Sequence, residues 1–231
     1  MRAVLAAGVC AVLAATPQAY PAPGAGVAPG ETGSVAGQVQ IVTPPSRRLP
    51  SAGAYPSRNV AVAAVQDSSE LANVVVFVKA PPTPTPPSRV SIRQKDEAFV
   101  PHMVAVTAGS TVDFPNDDLI FHNVFSLSRG GTFDLGRYPR GQSKGRTFRE
   151  PGLIKVYCNL HSHMSALVRV FDHPFFAIPD AEGQFTIKGL APGRYDVVAW
   201  HERVGDVTFE ADVAAGQVAS LSFSLPLRDP K

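Results

Sequence analysis

The sequence predicts an all-β protein built as two small β-sandwiches. Its 231 residues include 19 glycines and 22 prolines, which supply many turns, and no long run places apolar residues at helical spacing. Short alternating or wholly apolar segments recur between those turns, the pattern of half-buried and buried strands. The chain is long enough for one large or two small domains with proper cores.

The elements follow in order. MRAVLAAGVCAVLAA is one basic residue followed by a small and apolar run too short for a permanent anchor, and ATPQAYPAPG offers small residues for cleavage. Residues 1 to 22 therefore read as a secretory signal, which places the mature protein in the periplasm or outside the cell. Lipidation at Cys10 is the alternative, and Val9 and the short run before it fit that poorly. No later segment is apolar for long enough to form a transmembrane anchor. Residues 23 to 33 read as a flexible linker.

SVAGQVQIV puts Val35, Val39 and Ile41 on one face of a strand, whereas NVVVFVKA is apolar on both faces. Residues 43 to 70 carry little pattern. PPTPTPP, residues 81 to 87, is a stiff connector and the expected domain boundary. Then strands come at short spacing: VSIRQ, FVPHMVAVTAG, TVDFPN, IFHNVFS, RTFREPG, LIKVYC and SALVRVFD, punctuated by Asp117, Asp118, Gly130, Gly131, Pro139, Gly141 and Gly152. That is a sandwich over residues 88 to 172. Beyond Asp172, GQFTIKGLAPGRYDVVAW reads strand, turn, strand, and LSFSL closes the pattern with Leu221, Phe223 and Leu225 inward.

The net charge of +2 fits neither a nucleic-acid binder nor a polybasic membrane protein. There are two cysteines, Cys10 in the leader and Cys158, so the mature chain has no partner for an internal disulfide. Cys158 lies in YCNLHSHM, with His161 and Met164 a few residues on. At ~3.3–3.6 Å of maximum reach per residue, so short a loop holds the three side chains near one point. His122 in IFHNVFS is the best candidate for a fourth group. Two imidazoles, a thiolate and a weak thioether form the ligand set of a blue-copper electron-transfer site. The thiol loses its proton on binding, so an exported cysteine becomes a ligand and not an oxidation target. Zinc is the rival metal, but a thioether suits it poorly and no second thiolate is present.

FVPHMVAVTAGSTVDFPNDD, FHNVFS and VYCNLHSHM resemble segments of the cupredoxins, over Val90 to about Phe171. The tight gap before the methionine looks more like the amicyanin pattern than the plastocyanin one. The resemblance implies a Greek-key sandwich holding one mononuclear type 1 copper, with His122, Cys158 and His161 equatorial and Met164 axial. Asn123 matches the position whose backbone amide bonds the cysteine sulfur and whose side chain ties the two ligand loops together. His163 departs from the pattern, which has an apolar or aromatic residue there.

GQFTIKGLAPGRYDVVAW resembles carboxypeptidase-regulatory or transthyretin-like modules, whose opening strand reads like GSVAGQV at residues 33 to 39. The expectation is that residues 34 to 80 and 173 to 226 form one such module, interrupted by the cupredoxin. The combination is similar to bacterial periplasmic proteins of the methylamine-utilisation type.

Among the other histidines, His102 reads as structural, near enough to approach the ligand loops. His163 reads as exposed, and His173 and His201 read as turn hydrogen-bonders. Arg129, Arg137, Arg140, Lys144, Arg146 and Arg149 make residues 129 to 149 basic. A solvated loop accounts for them, and a docking face for an acidic protein redox partner is the sharper reading. Enzyme chemistry is not expected. Six histidines are too few for a trinuclear copper cluster beside this site, no nucleophile elbow is present, and His201 beside Glu202 is too little for an acid and base pair. Copper delivery without redox cycling, and a structural or carbohydrate-binding module, remain as alternatives to electron transfer.

Overall fold

The computed structural model describes residues 31–42 and 68–227. The expected signal, most of the linker and residues 43–67 lie outside the described residues. In the first part are β1 (Gly33–Val42), a 3-10 turn (Ser68–Asn73) and β2 (Val75–Val78). The middle holds β3 (Arg89–Ser91), β4 (Arg93–Lys95), β5 (Ala98–Val100), β6 (Met103–Thr107), β7 (Thr111–Pro115) and β8 (His122–Ser126). It continues with β9 (Phe133–Tyr138), β10 (Ser143–Thr147), β11 (Gly152–Tyr157) and β12 (Ser165–Phe171). The last part holds β13 (Phe176–Ala177), β14 (Gln184–Leu190), β15 (Gly193–His201), β16 (Gly205–Val213) and β17 (Val218–Pro226). The protein is all-β, and among the described residues no helix is long and apolar enough to cross a membrane.

Four sheets form successive layers. The first is β14-β1-β17, in which β1 pairs antiparallel with β14 and parallel with β17. The second is β13-β2-β15-β16, the third β6-β12-β11-β8-β9, and the fourth β10-β7-β3, with β4-β5 as a separate hairpin. The first and last parts of the described chain thus share two sheets, and the middle part builds the other two.

Side-chain alternation explains the layering. Successive residues of a strand face opposite sides, and β2 sends Val76 and Val78 into one apolar cluster with Val35, Ile187, Val197 and Phe223, but Val75 and Phe77 into another. That second cluster contains Met103 of β6, Leu167 and Phe171 of β12, and Val198 and Trp200 of β15. The opposite face of β12 sends Ala166, Val168 and Val170 into the third cluster, with Val112, Phe114, Val156 and Cys158. A strand apolar on both faces, as NVVVFVKA reads, is a strand buried on both faces.

Two strand expectations are corrected. FVPHMVAVTAG is two strands, β5 and β6, because Pro101 has no N–H to donate to a ladder. RTFREPG is not a strand of its own; β10 spans Ser143–Thr147, and Phe148 turns into the core at 3 % exposure.

Candidate metal centre

β8 begins at His122, and the hairpin of β11 and β12 closes at the Tyr157 to Ser165 pair. Cys158 and Met164 lie one residue outside those strands, at the two feet of the connecting loop. The loop is short enough to be tied across itself. The Met164 N–H donates to the His161 carbonyl at 3.0 Å, and the Cys158 N–H donates to the Met164 carbonyl at 3.3 Å. Cys158 and Met164 are both buried in the apolar cluster between the third and fourth sheets.

The side chains of His122, Cys158 and His161 converge. Nδ1 of His122 lies 3.0 Å from Nδ1 of His161, and Cys158 Sγ lies 4.0 Å from the first and 3.8 Å from the second. The point equidistant from the three atoms, the circumcentre of a triangle with those sides, is about 2.1 Å from each. Metal–nitrogen bonds of ~2.0–2.1 Å and metal–sulfur bonds of ~2.3 Å span that radius for a borderline-soft ion. The spacing fits a first-row metal ion, and a thiolate with two imidazoles suits copper in chemistry. Met164 is 1 % exposed and lies in the same apolar cluster as Cys158.

The tautomer of His122 is set from outside the trio. Its Nε2 lies 2.8 Å from Oδ2 of Asp118. A carboxylate only accepts, so the hydrogen sits on Nε2 and the Nδ1 lone pair is left bare toward Cys158 and His161. Asp118 is itself fixed: Oδ1 accepts the Asp96 N–H at 2.7 Å and Oδ2 the Glu97 N–H at 2.9 Å. Those two residues form the turn of the β4-β5 hairpin, and both have φ of 54°, a left-handed conformation uncommon outside glycine. Burial pushes the Asp118 carboxyl up, and the hydrogen bonds from Glu97, His122 and Asp96 outweigh it, so its pKa lies below the usual carboxylate value. The Asp118 N–H donates in turn to Asn116 Oδ1, while Asn116 Nδ2 donates to the carbonyls of Ile120 and Tyr138, which shapes the loop that delivers His122.

Asn123 reaches both ways. Its Oδ1 accepts the Asn159 N–H at 3.4 Å, and its Nδ2 donates to Asp134 at 2.7 Å, so β8 is tied to the 158–164 loop and to β9. His163 is 62 % exposed, with Nε2 3.8 Å from Glu97. His173 and His201 each accept a backbone N–H through Nδ1, from Phe175 and Arg203. His201 also contacts Glu70, at 3.3 Å. Asp118 is the functional neighbour that sequence reasoning passes over. Its one signal is a carboxylate four residues before His122, in a segment that reads equally well as a turn.

His122, at 0 % exposure, lies under the surface, and His161 is partly exposed. Next to them in the chain, Leu119 and Phe121 are 83 % and 55 % exposed, with Ile120 and Leu160 also exposed. A cavity beside Leu119 and Ile120 is lined by Asp96, Glu97, Asp117, Asp118 and Arg140.

No protein-family model matches this chain, and no curated protein matches it. Among solved structures, it is similar to a copper-containing nitrite reductase from Thermus scotoductus, at 24% identity over 41% of this chain and TM-score 0.34. It spans only 24% of that enzyme's length. A purple cupredoxin from Nitrosopumilus maritimus is 29% identical over 33% of this chain and 84% of its own, with TM-score 0.30. A reduced amicyanin mutant is 24% identical over 36% and 81%, with TM-score 0.33. Overlaps this partial leave the assignment of the centre to the donor geometry.

Proposed function

We propose that this is an exported protein carrying single electrons between redox partners by means of one mononuclear type 1 copper, in the periplasm or outside the cell. The observation that carries the reading is the convergence of two imidazole nitrogens and a buried sulfur at bonding distance from one point. His122 Nδ1, Cys158 Sγ and His161 Nδ1 hold the ion, with Met164 as the axial neighbour and Asn123 bracing the two ligand-bearing segments. Copper at this position supplies a one-electron couple that thiolate and imidazole ligands support in both oxidation states.

The protein's own part is rigidity and access. Asp118 holds the His122 ring and its tautomer, Asn123 and the cross-loop hydrogen bonds hold Cys158, and the apolar cluster around the sulfur excludes water. The exposed edge of His161 is where a partner reaches the site. Leu119, Ile120, Phe121 and Leu160 form an apolar landing around it, suited to brief contact with another protein. The basic residues from 129 to 149 add charge steering toward an acidic partner. Two of them are partly engaged, Lys144 through the Leu135 carbonyl and the Tyr138 ring, and Arg146 over the Phe133 ring. Electron-transfer rates that fall as salt rises support steering, and rates independent of ionic strength remove it.

In the same reading, residues 88–172 are a cupredoxin-like domain inserted into a transthyretin-like domain made of residues 34–80 and 173–226. The pairing of β1 with β14 and β17, and of β2 with β13 and β15, supports that division.

The testing experiment adds Cu(II) to the purified protein and to Cys158→Ser. An intense visible band and reversible voltammetry in the parent, both lost in the variant, are expected. A colourless protein that binds only Cu(I) supports copper delivery instead, and a protein that binds neither leaves a structural or carbohydrate-binding module.

A further inference from the structure

His102 stands where the chain enters β6, facing both halves of the molecule. Its Nδ1 lies 2.9 Å from the carbonyl oxygen of Ser165, and its Nε2 lies 3.0 Å from Oε1 of Glu202. Both partners only accept hydrogen bonds, so the ring N–H is the donor in this bridge. The His102 carbonyl accepts the Leu167 N–H at 2.7 Å, which adds a second tie to the same strand.

The two ends of this bridge belong to different parts of the molecule. Glu202 lies in the turn between β15 and β16, in the second sheet. Ser165 is the first residue of β12 in the third sheet and directly follows Met164. Beneath the bridge, Met103 and Leu167 pack against Val75, Phe77, Val198 and Trp200, so the two sheets are held together next to it. The guanidinium of Arg169 extends the same contact over the rings of Phe77, Phe171 and Trp200.

We propose that Glu202 and His102 are positioning residues of the metal centre, through which the second sheet sets the placement of Met164. This rests on the copper reading given above. Met164 is held through its N–H, which donates to the His161 carbonyl at 3.0 Å, and through its carbonyl, which accepts the Cys158 N–H at the longer distance of 3.3 Å. The next residue, Ser165, is fixed both by its pairing with Tyr157 and by its carbonyl, which His102 grips. An axial thioether is a weak, long ligand whose placement tunes the reduction potential, so a small displacement of the Ser165 peptide is felt at the site. The outer sheets are then a working part of the centre and not only its neighbours.

Glu202→Ala tests this, because the side chain is 38% exposed and its removal opens no cavity in the core. In the copper-free full-length protein, the Met164 methyl resonance is expected to shift from its parent position. In the copper-loaded protein, the reduction potential and visible band are expected to move, and copper release to a chelator to quicken several-fold, less than the ~10–100-fold effect of groups that bond metal ligands directly. Glu202→Gln, whose amide oxygen still accepts from Nε2, is expected to stay close to the parent. A Glu202→Ala protein with parent methyl resonance, potential and spectrum overturns the proposal. Failure of every form to bind copper would overturn the copper reading instead, and the methyl resonance of the copper-free protein would still decide the coupling.

Discussion

Asp118 answers to two masters, the hairpin turn at Asp96 and Glu97 and the imidazole of His122, and both use its oxygens as acceptors. An amide oxygen in the place of Oδ2 still accepts from Glu97 and His122, but the NH2 group then meets the Asp96 N–H and the negative charge beside the imidazole is lost. Asp118→Asn is therefore expected to keep the fold and weaken copper binding by about 10-fold or more, as losses beside metal-bound histidines do. A competition titration against a chelator of known affinity checks it, and an unchanged affinity would remove Asp118 from the site. Met164→Leu is expected to retain copper and raise the reduction potential, because the soft axial contact is lost while the three close donors remain. Voltammetry reads the direction. Complete loss of copper in that variant would make Met164 a stronger ligand than proposed. The approach of Cys158 to His161 was legible in the sequence because one short loop carries both. His122 was legible only as a chemical requirement. Asp118 and the His102 bridge were not, since each depends on chain segments 20 to 100 residues away folding against it.

At the scale of the strand, the tightest constraint lies far from the metal. Gly37 in the middle of β1 faces Leu221 of β17, and a Cβ there would run into the Leu221 carbonyl. The atoms it meets are all Leu221 backbone, with no flexible group to yield, so Gly37→Ala is expected to destabilise the protein by about 2 kcal/mol or more, in the range of overpacking. Urea unfolding measures this, and a midpoint equal to the parent's would mean that β1 and β17 separate freely. β1 and β17 were legible because their alternation is clean. β9 was not: it carries Gly136 at φ 68°, and a register shift interrupts its pairing with β8. β16 was passed over although Val207, Phe209, Ala211 and Val213 alternate, because acidic residues stand between them and Phe209 remains 45 % exposed.

The four stacked sheets put three apolar layers into one chain, and the middle layer joins what the sequence divides at PPTPTPP. That joint follows from β2, β12 and β15 being apolar on both faces, a signal visible in NVVVFVKA but silent about its partner. The outer part also carries a pH response. Burial holds the His201 imidazole below its ordinary value of 6.5, against the opposing pull of Glu70. Burial pushes the Glu70 carboxyl up, and bonds from Asn73 and His201 with the charge of Arg203 outweigh it, leaving it below 4.5. In both cases the unfolded chain takes up the proton first. The His201 contribution is complete above about pH 6.5 and declines below it, and the Glu70 contribution declines below about pH 4.5. The urea midpoint is thus expected to fall stepwise on acidification, with the upper step flattened in His201→Gln. A midpoint that rises as pH drops from 7.5 to 5.5 would contradict the assignment.

X-ray absorption at the copper edge of the loaded protein reads the donor atoms directly. Two nitrogen neighbours and one short sulfur neighbour per copper are predicted from the convergence of His122, His161 and Cys158. A shell of nitrogen and oxygen with no sulfur would contradict it.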